Sequence, residues 1–116
     1  MHLRKRVSEP WFTLISMGLK QVEGRLNKGD FARLETGDVI VWENDELGFT
    51  RTCETRVNGM AHYRTFRAYL QIKHLSRCLH AAGVKTIAQG VQVYREYYSA
   101  EDERRYGVLA LRLSLM

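Results

Sequence analysis

The sequence predicts an α+β fold in which five or six short strands form a small curved sheet or barrel with helices outside. Three observations carry this prediction. Short runs of apolar residues, several of them alternating with polar ones, have the pattern of strands. Two stretches repeat apolar residues at helical spacing, and glycines fall where elements end. With 116 residues, the chain is expected to form one domain over residues 1–116.

Composition excludes several classes of protein. Hydrophobic residues make up 45% of the chain and there is a single proline, which is typical of a globular protein and not of a disordered tail. No apolar run is long enough to cross a bilayer, and residues 1–7 are basic without the apolar core of a signal peptide. We therefore expect a cytoplasmic protein without membrane contact, in which Cys53 and Cys78 stay reduced as small buried hydrophobes.

The net charge of +5 is unevenly distributed. Basic residues dominate residues 1–33 and 50–80, whereas residues 34–49 hold five acids and no Lys or Arg. If strands one and four are neighbours, these cations form one basic face for phosphates, the alternative being scattered solvated charges. The residues of this predicted basic rim are Arg4, Lys5, Arg6, Arg51, Arg56, Arg64 and Arg67.

The first elements follow from local signals. Residues 2–7 are predicted as a strand, although Lys5 interrupts its apolar face. Ser8 is the expected N-cap of a helix that begins with Trp11 and ends at Gly18, a residue suited to the left-handed conformation after a helix. A second strand is predicted over residues 20–26.

The middle of the chain reads as turns and two strands. Residues 28–34 are predicted as a loop with room for one helical turn, and residues 36–38 as a turn. Residues 39–42 are strongly apolar and predict a short strand. A hairpin turn at 44–48 then leads into a long strand over 49–63.

The second half is predicted to be more helical. Thr65 is placed to cap a helix that ends at Gly83, and Thr86 opens a capping box with Gln89. Residues 99–102 are predicted as a short acidic turn. The run 107–113 is apolar almost throughout, which places the last strand inside the sheet.

The most informative segment lies just after the first predicted helix. Lys20, Glu23 and Arg25 bring three charges of both signs into six residues that include Gly24. In a strand, Glu23 and Arg25 share one face and Lys20 takes the other, so a bend at Gly24 is expected to bring them together. Arg offers a planar fork, Lys a point charge or nucleophile, and Glu an acceptor or general base. The alternative is a structural salt bridge on an exposed strand.

Aromatic residues supply candidate walls for such a site. Trp11 is either core packing or a platform on which a base stacks. Tyr98 and Ser99 close the late helix and are candidates for the same cleft. His74, Cys78 and His80 do not have the spacing of a zinc site, so neither metal nor cofactor is expected.

Five ordered fragments together resemble the ASCH family, whose fold belongs to the PUA-like superfamily. The similarity covers nearly the whole chain and includes the pattern Gly-x-Lys-x-x-Glu-x-Arg of residues 18–25. The fragments are Pro10-Trp11, Gly18 to Leu26, Gly37 to Ile40, Tyr63 to Phe66, and Tyr97 to Glu101 followed by Tyr106 to Leu111.

This resemblance implies a mixed β-barrel of five to six strands flanked by helices, with a polar cleft beside the first helix. Members of the family are proposed to bind RNA or modified nucleosides. One branch hydrolyses the acetyl amide of N4-acetylcytidine with a Lys, a Thr and a Glu; its Lys falls on Lys20, whereas its Thr position holds Glu23. The resemblance thus implies Lys20 and Glu23 as catalytic candidates.

Three functions therefore stay open on sequence grounds. The first is an RNA- or nucleoside-binding module that uses Lys20, Glu23, Arg25 and the aromatic residues. The second is an enzyme, either an amidohydrolase or a ribonuclease. The third is a protein-interaction domain with an idle cleft. The ligand and the oligomeric state do not follow from the sequence.

Overall fold

The structure is a computed structural model that describes residues 1–73, 75–79 and 84–116. It confirms the predicted α+β class, with a curved five-stranded mixed sheet and helices packed around it. The strands are β1 (His2–Arg6), β2 (Val22–Leu26), β3 (Val39–Asn44), β4 (Arg51–Tyr63) and β5 (Val108–Leu115). The helices are α1 (Trp11–Ser16), α2 (Phe66–Lys73), α3 (Leu75–Cys78), α4 (Ile87–Arg95) and α5 (Ala100–Tyr106), and a 3-10 turn spans Gly29–Arg33.

The strand order leaves two open edges. The order across the sheet is β1-β3-β4-β5-β2, with β1 parallel to β3 and every other pair antiparallel. The sheet curls through about half a barrel, so the outer edges of β1 and β2 face a common gap. We call this gap the β1–β2 seam. It is the part of the sheet in which backbone groups are free to meet side chains or a ligand.

Strand β5 explains how the two faces of the sheet are built. It lies between β4 and β2, as its apolar sequence predicts, and its residues alternate between two cores. Leu109, Leu111 and Leu113 join a cluster that includes Trp42. Apolar residues on the opposite face of β5 and on the neighbouring β2 join the second cluster, which lies under the helices. Its members on these strands are Val108, Ala110, Val22 and Leu26.

The predicted basic rim is wrong in its premise, because β3 and not β4 is the neighbour of β1. Four of its cations also lie within ion-pair distance of an acid, and two of these acids belong to the acidic block of residues 34–49. Arg4 Nε lies 2.7 Å from Glu43, Lys5 Nζ 3.2 Å from Asp30, Arg6 Nη2 3.3 Å from Asp45 and Arg51 Nη2 2.9 Å from Glu9. These pairs remove much of the charge that a continuous basic face requires.

Helix boundaries follow some of the predicted signals. Thr86 and Gln89 form the reciprocal capping box, and Gly18 follows α1 with a φ of 74°. Ser8 is not the cap of α1; the Glu9 carboxylate instead accepts hydrogen bonds from Thr13 N at 2.9 Å and from its hydroxyl at 2.6 Å. The predicted helix end at Gly83 lies outside the described residues.

Residues predicted as an acidic turn form helix α5 instead. The hydroxyl of Ser99 accepts a hydrogen bond from Asp102 N at 3.1 Å, and Gly107 ends the helix with a φ of 73°. Three acids in the first turn and two arginines in the last complement the helix dipole. Capping and charge placement, which local hydropathy does not register, account for the helix.

Two further expectations concern membrane-spanning helices and the state of the cysteines. No helix in the described part of the chain is long and apolar enough to span a membrane. Cys53 is half-buried and Cys78 is buried, and both are free thiols. Burial raises the pKa of both thiols, which keeps them protonated and poorly nucleophilic.

Glu103 is the buried acid that holds three helices together. Its Oε2 accepts a hydrogen bond from Phe66 N at the start of α2 at 2.7 Å, and its Oε1 lies 2.9 Å from Arg95 Nη2 on α4. The carboxylate is 8% exposed, so both interactions act with little solvent screening.

We expect Glu103→Ala to lower the free energy of unfolding by about 2–4 kcal/mol, because it leaves a buried N–H unpaired and removes a largely buried charge pair. Urea unfolding checks this. Glu101→Ala, on the exposed side of the same helix, is the matched control and should cost less than about 0.5 kcal/mol. Equal effects of the two substitutions would contradict the structural role of Glu103.

Candidate functional site

A pocket of about 110 Å³ opens in the β1–β2 seam. The end of β1, the start of α1, strand β2 and the segment around the end of α4 all contribute to it. Five of the residues singled out in the sequence line this seam pocket, namely Trp11, Lys20, Glu23, Arg25 and Tyr98. The fold thus brings together residues from the first and last thirds of the chain.

Lys20 lies at the base of the pocket and is 3% exposed. Its ammonium donates to Val22 O at 3.0 Å and to Cys78 O on α3, and it lies 3.6 Å from Glu23 Oε1. Three acceptors therefore surround a group that has three donors. Lys20 reaches this position because it precedes β2, which begins at Val22 and not at residue 20, so strand alternation does not fix its direction.

Glu23 completes the cover of the β2 edge. It is 5% exposed, and its Oε1 accepts a hydrogen bond from Gly24 N at 3.1 Å. The carbonyl of Val22 is covered by Lys20, so two side chains serve backbone groups that no neighbouring strand reaches. This satisfies the rule that buried backbone groups are paired. Glu23 Oε2 accepts no hydrogen bond from the described residues.

Arg25 differs from Lys20 and Glu23 because one of its hydrogen-bond donors has no partner among the described residues. Its Nε–H is buried without a hydrogen-bond partner among the described residues, and Nη2 lies 3.8 Å from Glu23 Oε2, beyond hydrogen-bond distance. The guanidinium carbon lies 5.0 Å from the centre of the Phe31 ring and 5.2 Å from that of Trp42. Aromatic faces therefore hold the cation in place without using its Nε–H donor.

Arg25 stays protonated in this environment. Burial lowers its pKa, but the carboxylate of Glu23 and then the hydroxyl of Tyr98 outweigh that effect, and the net shift is upward. Burial raises the pKa of Tyr98, partly offset by Arg25, and it raises the pKa of Tyr94 well above 10. At neutral pH the site therefore presents a permanent cation beside neutral phenols.

Gly24 has a different role from the predicted bend. The strand is regular there, with Gly24 paired to Ala110, and its φ is not positive. A Cβ at this position would lie 2.6 Å from Cε2 of Tyr69. Tyr69 is fully buried and shares a hydrogen bond of 3.0 Å with the hydroxyl of Tyr94. The glycine thus lets β2 pack directly on the aromatic core behind the pocket.

Aromatic side chains form the walls. Trp11 Nε1 donates to the hydroxyl of Tyr97 at 3.3 Å, and that hydroxyl also lies 3.0 Å from Ser8 Oγ. Tyr98 stacks on Phe66 at a centroid distance of 5.5 Å, and Phe66 stacks in turn on Tyr94 at 4.5 Å. The wall that contains Tyr98 is therefore anchored in the core, whereas Tyr97 is 53% exposed at the rim.

Sequence reasoning missed some residues of the pocket and misplaced one. Ser99 does not line it; its exposed side chain caps α5. Ser8 and Tyr97 line the pocket but were not candidates, because the signal that joins them is a long-range hydrogen bond. Tyr94 packs in the core and also lines the pocket.

The described residues offer no obvious metal centre. No group of three His, Cys, Asp or Glu side chains within residues 1–73, 75–79 and 84–116 is placed to hold an ion. His74 and His80, weighed with Cys78 as a metal group, lie outside the described residues. Among the described residues that line the pocket, Glu23 is the sole carboxylate.

We expect Gly24→Ala to destabilise the protein by about 1–3 kcal/mol, because the added methyl group overlaps the Tyr69 ring in a packed core. Thermal or urea unfolding measures the change. Gly59→Ala is the matched strand control, since its Cβ would meet Arg112 only at 3.8 Å. A Gly24→Ala protein as stable as Gly59→Ala would show that β2 does not need the close approach to Tyr69.

The chain is similar to two proteins of known structure and matches one family model. The hypothetical protein PH0355, whose crystal structure is known, is 31% identical, with 100% of both chains covered and a TM-score of 0.87. Protein PF0455 from Pyrococcus furiosus, solved by NMR in solution, is 33% identical, with 100% of this chain and 98% of that chain covered and a TM-score of 0.79. No curated protein matches the chain. The family model of the ASCH domain matches residues 6–116, and the chain therefore belongs to the ASCH domain family.

Proposed function

We propose that the protein binds RNA and holds one of its nucleosides, standard or modified, in the seam pocket. One observation carries the proposal: Arg25 packs against two aromatic faces, and its buried Nε–H has no hydrogen-bond partner among the described residues. A guanidinium has five N–H donors in a planar fork, which suits the carbonyl edge of a base or a phosphate. The ASCH domain is generally thought to bind RNA, and membership of the family supports the proposal.

The walls of the pocket suit an unstacked base. Proteins that bind RNA single strands commonly stack bases on aromatic side chains and Arg planes. Trp11 is held by its hydrogen bond to Tyr97, and Tyr98 is held by stacking on Phe66. Side chains fixed in advance lose little entropy when a ligand binds.

Lys20 and Glu23 take supporting roles in this proposal. The ammonium of Lys20 already meets two carbonyls and a carboxylate, so it contributes positive potential and not a free donor. Glu23 holds its Oε1 against Gly24 N and leaves Oε2 to accept from an exocyclic amine. Base recognition in this pocket thus uses one donor group, Arg25, and one acceptor atom, Glu23 Oε2.

We expect Arg25→Gln to weaken binding of a short single-stranded RNA about 10–100-fold, because it removes a charge-assisted hydrogen bond. Arg25→Lys should recover only part of the affinity, because an ammonium lacks the planar fork. Fluorescence anisotropy across a salt series measures both effects. Arg67→Gln removes an equal charge from an exposed position outside the pocket and should change affinity less than about threefold.

Circular dichroism melting of each variant keeps folding separate from binding. RNA binding that is absent at low salt, or that falls equally with Arg67→Gln and Arg25→Gln, would overturn the proposal. Lys20 is unsuitable for this test, because its removal takes the buried cation away from Glu23 and a donor away from two carbonyls, and unfolding would confound the result.

Amide hydrolysis is a second candidate because Glu23 is nearly buried and its Oε2 accepts no hydrogen bond from the described residues. In N4-acetylcytidine, Glu23 would take a proton from water as the water oxygen attacks the acetyl carbonyl. The C–N bond would then break, and the proton would pass to the leaving amine, which yields cytidine and acetate. Arg25 is placed to stabilise the oxyanion. The geometry favours this less than binding, because Lys20 has no free donor and no second carboxylate is among the described residues that line the pocket.

Turnover of N4-acetylcytidine, followed by the release of acetate, tests the second candidate. If Glu23 is the base, Glu23→Gln should lower kcat at least about 100-fold while binding of the nucleoside persists. The protein with Arg67→Gln serves as the control. Absence of turnover in the folded wild-type protein would leave binding as the function.

A further inference from the structure

A second depression continues the β1–β2 seam beyond the pocket. It has a volume of about 310 Å³ and lies between β1, the end of β2 and the 3-10 turn. Arg25 and Tyr98 line both the seam pocket and this second depression, which we call the outer depression. The two spaces are thus neighbours across one shared wall. Four further residues matter for its chemistry, namely Lys5, Lys28, Asp30 and Phe31.

The charges of the outer depression favour an anion. Lys28 is exposed, has no ion pair among the described residues, and holds its ammonium 5.0 Å from the centre of the Tyr106 ring. Asp30 is the one acid of the described lining, and Lys5 lies 3.2 Å from it. Asp30 lies beside Lys5 and Glu23 beside Arg25, so the three cations Lys5, Arg25 and Lys28 exceed these two acids by one positive charge. A phosphodiester would gain from that excess, and the Asp30 charge is already compensated.

The floor of the outer depression is apolar. Phe31 is buried, with the Lys5 ammonium 5.1 Å and the Arg25 guanidinium carbon 5.0 Å from the centre of its ring. Leu26 and Tyr98 add further apolar surface. Cations around an apolar floor match a nucleotide, which carries a phosphate beside a sugar and a flat base.

We infer that the outer depression binds the nucleotide adjacent to the one in the seam pocket, with its phosphate on Lys28, so that the ligand is a polynucleotide strand and not a free nucleoside. The inference rests on the proposed function, because it assigns the seam pocket to a nucleoside. The strand runs along the seam, across the shared wall formed by Arg25 and Tyr98. A free nucleoside fills the seam pocket and leaves the cationic half of the groove without a partner.

The experiment compares two variants against a graded set of ligands. Lys28→Gln removes the proposed phosphate contact, and Lys85→Gln, exposed and outside the seam, is its charge-matched control. The ligands are the four ribonucleosides, their 3′- and 5′-monophosphates and an eight-nucleotide single-stranded RNA of mixed sequence. Calorimetry gives the affinities, and a salt series gives the slope of log affinity for the RNA.

The expected result has three parts. The RNA binds wild-type protein at least about tenfold more tightly than any ribonucleoside. Lys28→Gln weakens the RNA about 3–10-fold and reduces the salt slope by about 0.7, the value for one single-strand phosphate contact. The same variant leaves ribonucleoside affinity within about twofold of wild type, and Lys85→Gln changes neither quantity beyond that range.

The outcomes separate this inference from the proposal on which it rests. If RNA binding depends on Arg25 but is the same in Lys28→Gln and Lys85→Gln, the outer depression is not a subsite and the proposed function stands. A ribonucleoside that binds as tightly as the RNA also overturns the inference alone. If no nucleoside or RNA binds in an Arg25-dependent way, both the proposed function and the inference fail.

Discussion

The arrangement of the site depends on the buried ammonium of Lys20. A half-closed sheet exposes the outer edge of β2, and a backbone carbonyl at such an edge needs a partner. Lys20 supplies it, and the same ammonium reaches Cys78 O on α3 and Glu23. One cation thus fastens helix α3 to the strand and fixes the carboxylate beside it. These contacts of Lys20 hold β2, α3 and the Glu23 carboxylate in place beside the seam pocket.

The three charged residues Lys20, Glu23 and Arg25 have two different roles. Lys20 and Glu23 are engaged with backbone groups of the β2 edge, whereas Arg25, two residues further on the same face as Glu23, is held by aromatic rings. A buried ion pair is weak evidence for stability by itself, but its removal in part is costly. The motif therefore combines a fixed foundation with one free donor group, which is how a preorganised binding site is built.

Much of the fold and part of the site could be predicted from the sequence. Local signals were sufficient for the capping box at Thr86 and the helix end at Gly18, because each depends on neighbouring residues alone, and the apolar run of β5 indicated its interior position. The neighbour of β1 could not be predicted, since strand pairing joins distant segments. The same holds for Gly24, whose need for a small side chain comes from the Tyr69 ring on α2. Helix α5 was missed because caps and charges, not apolar periodicity, define it.

Ion pairs with nearby acids explain why the basic residues of β1 do not form a binding face. Arg4, Lys5 and Arg6 on β1 each lie within ion-pair distance of an acid, so these three cations are already compensated and less free to meet a phosphate. Exposed pairs of this kind contribute little to stability, yet they neutralise the surface. Within the groove between the two strand edges, Lys28 beside Tyr106 has no acid partner among the described residues, and Arg25 is held by aromatic faces next to Glu23. For the proposed strand along the seam, selectivity would then come from where the charge is left uncompensated, not from how much charge the protein carries.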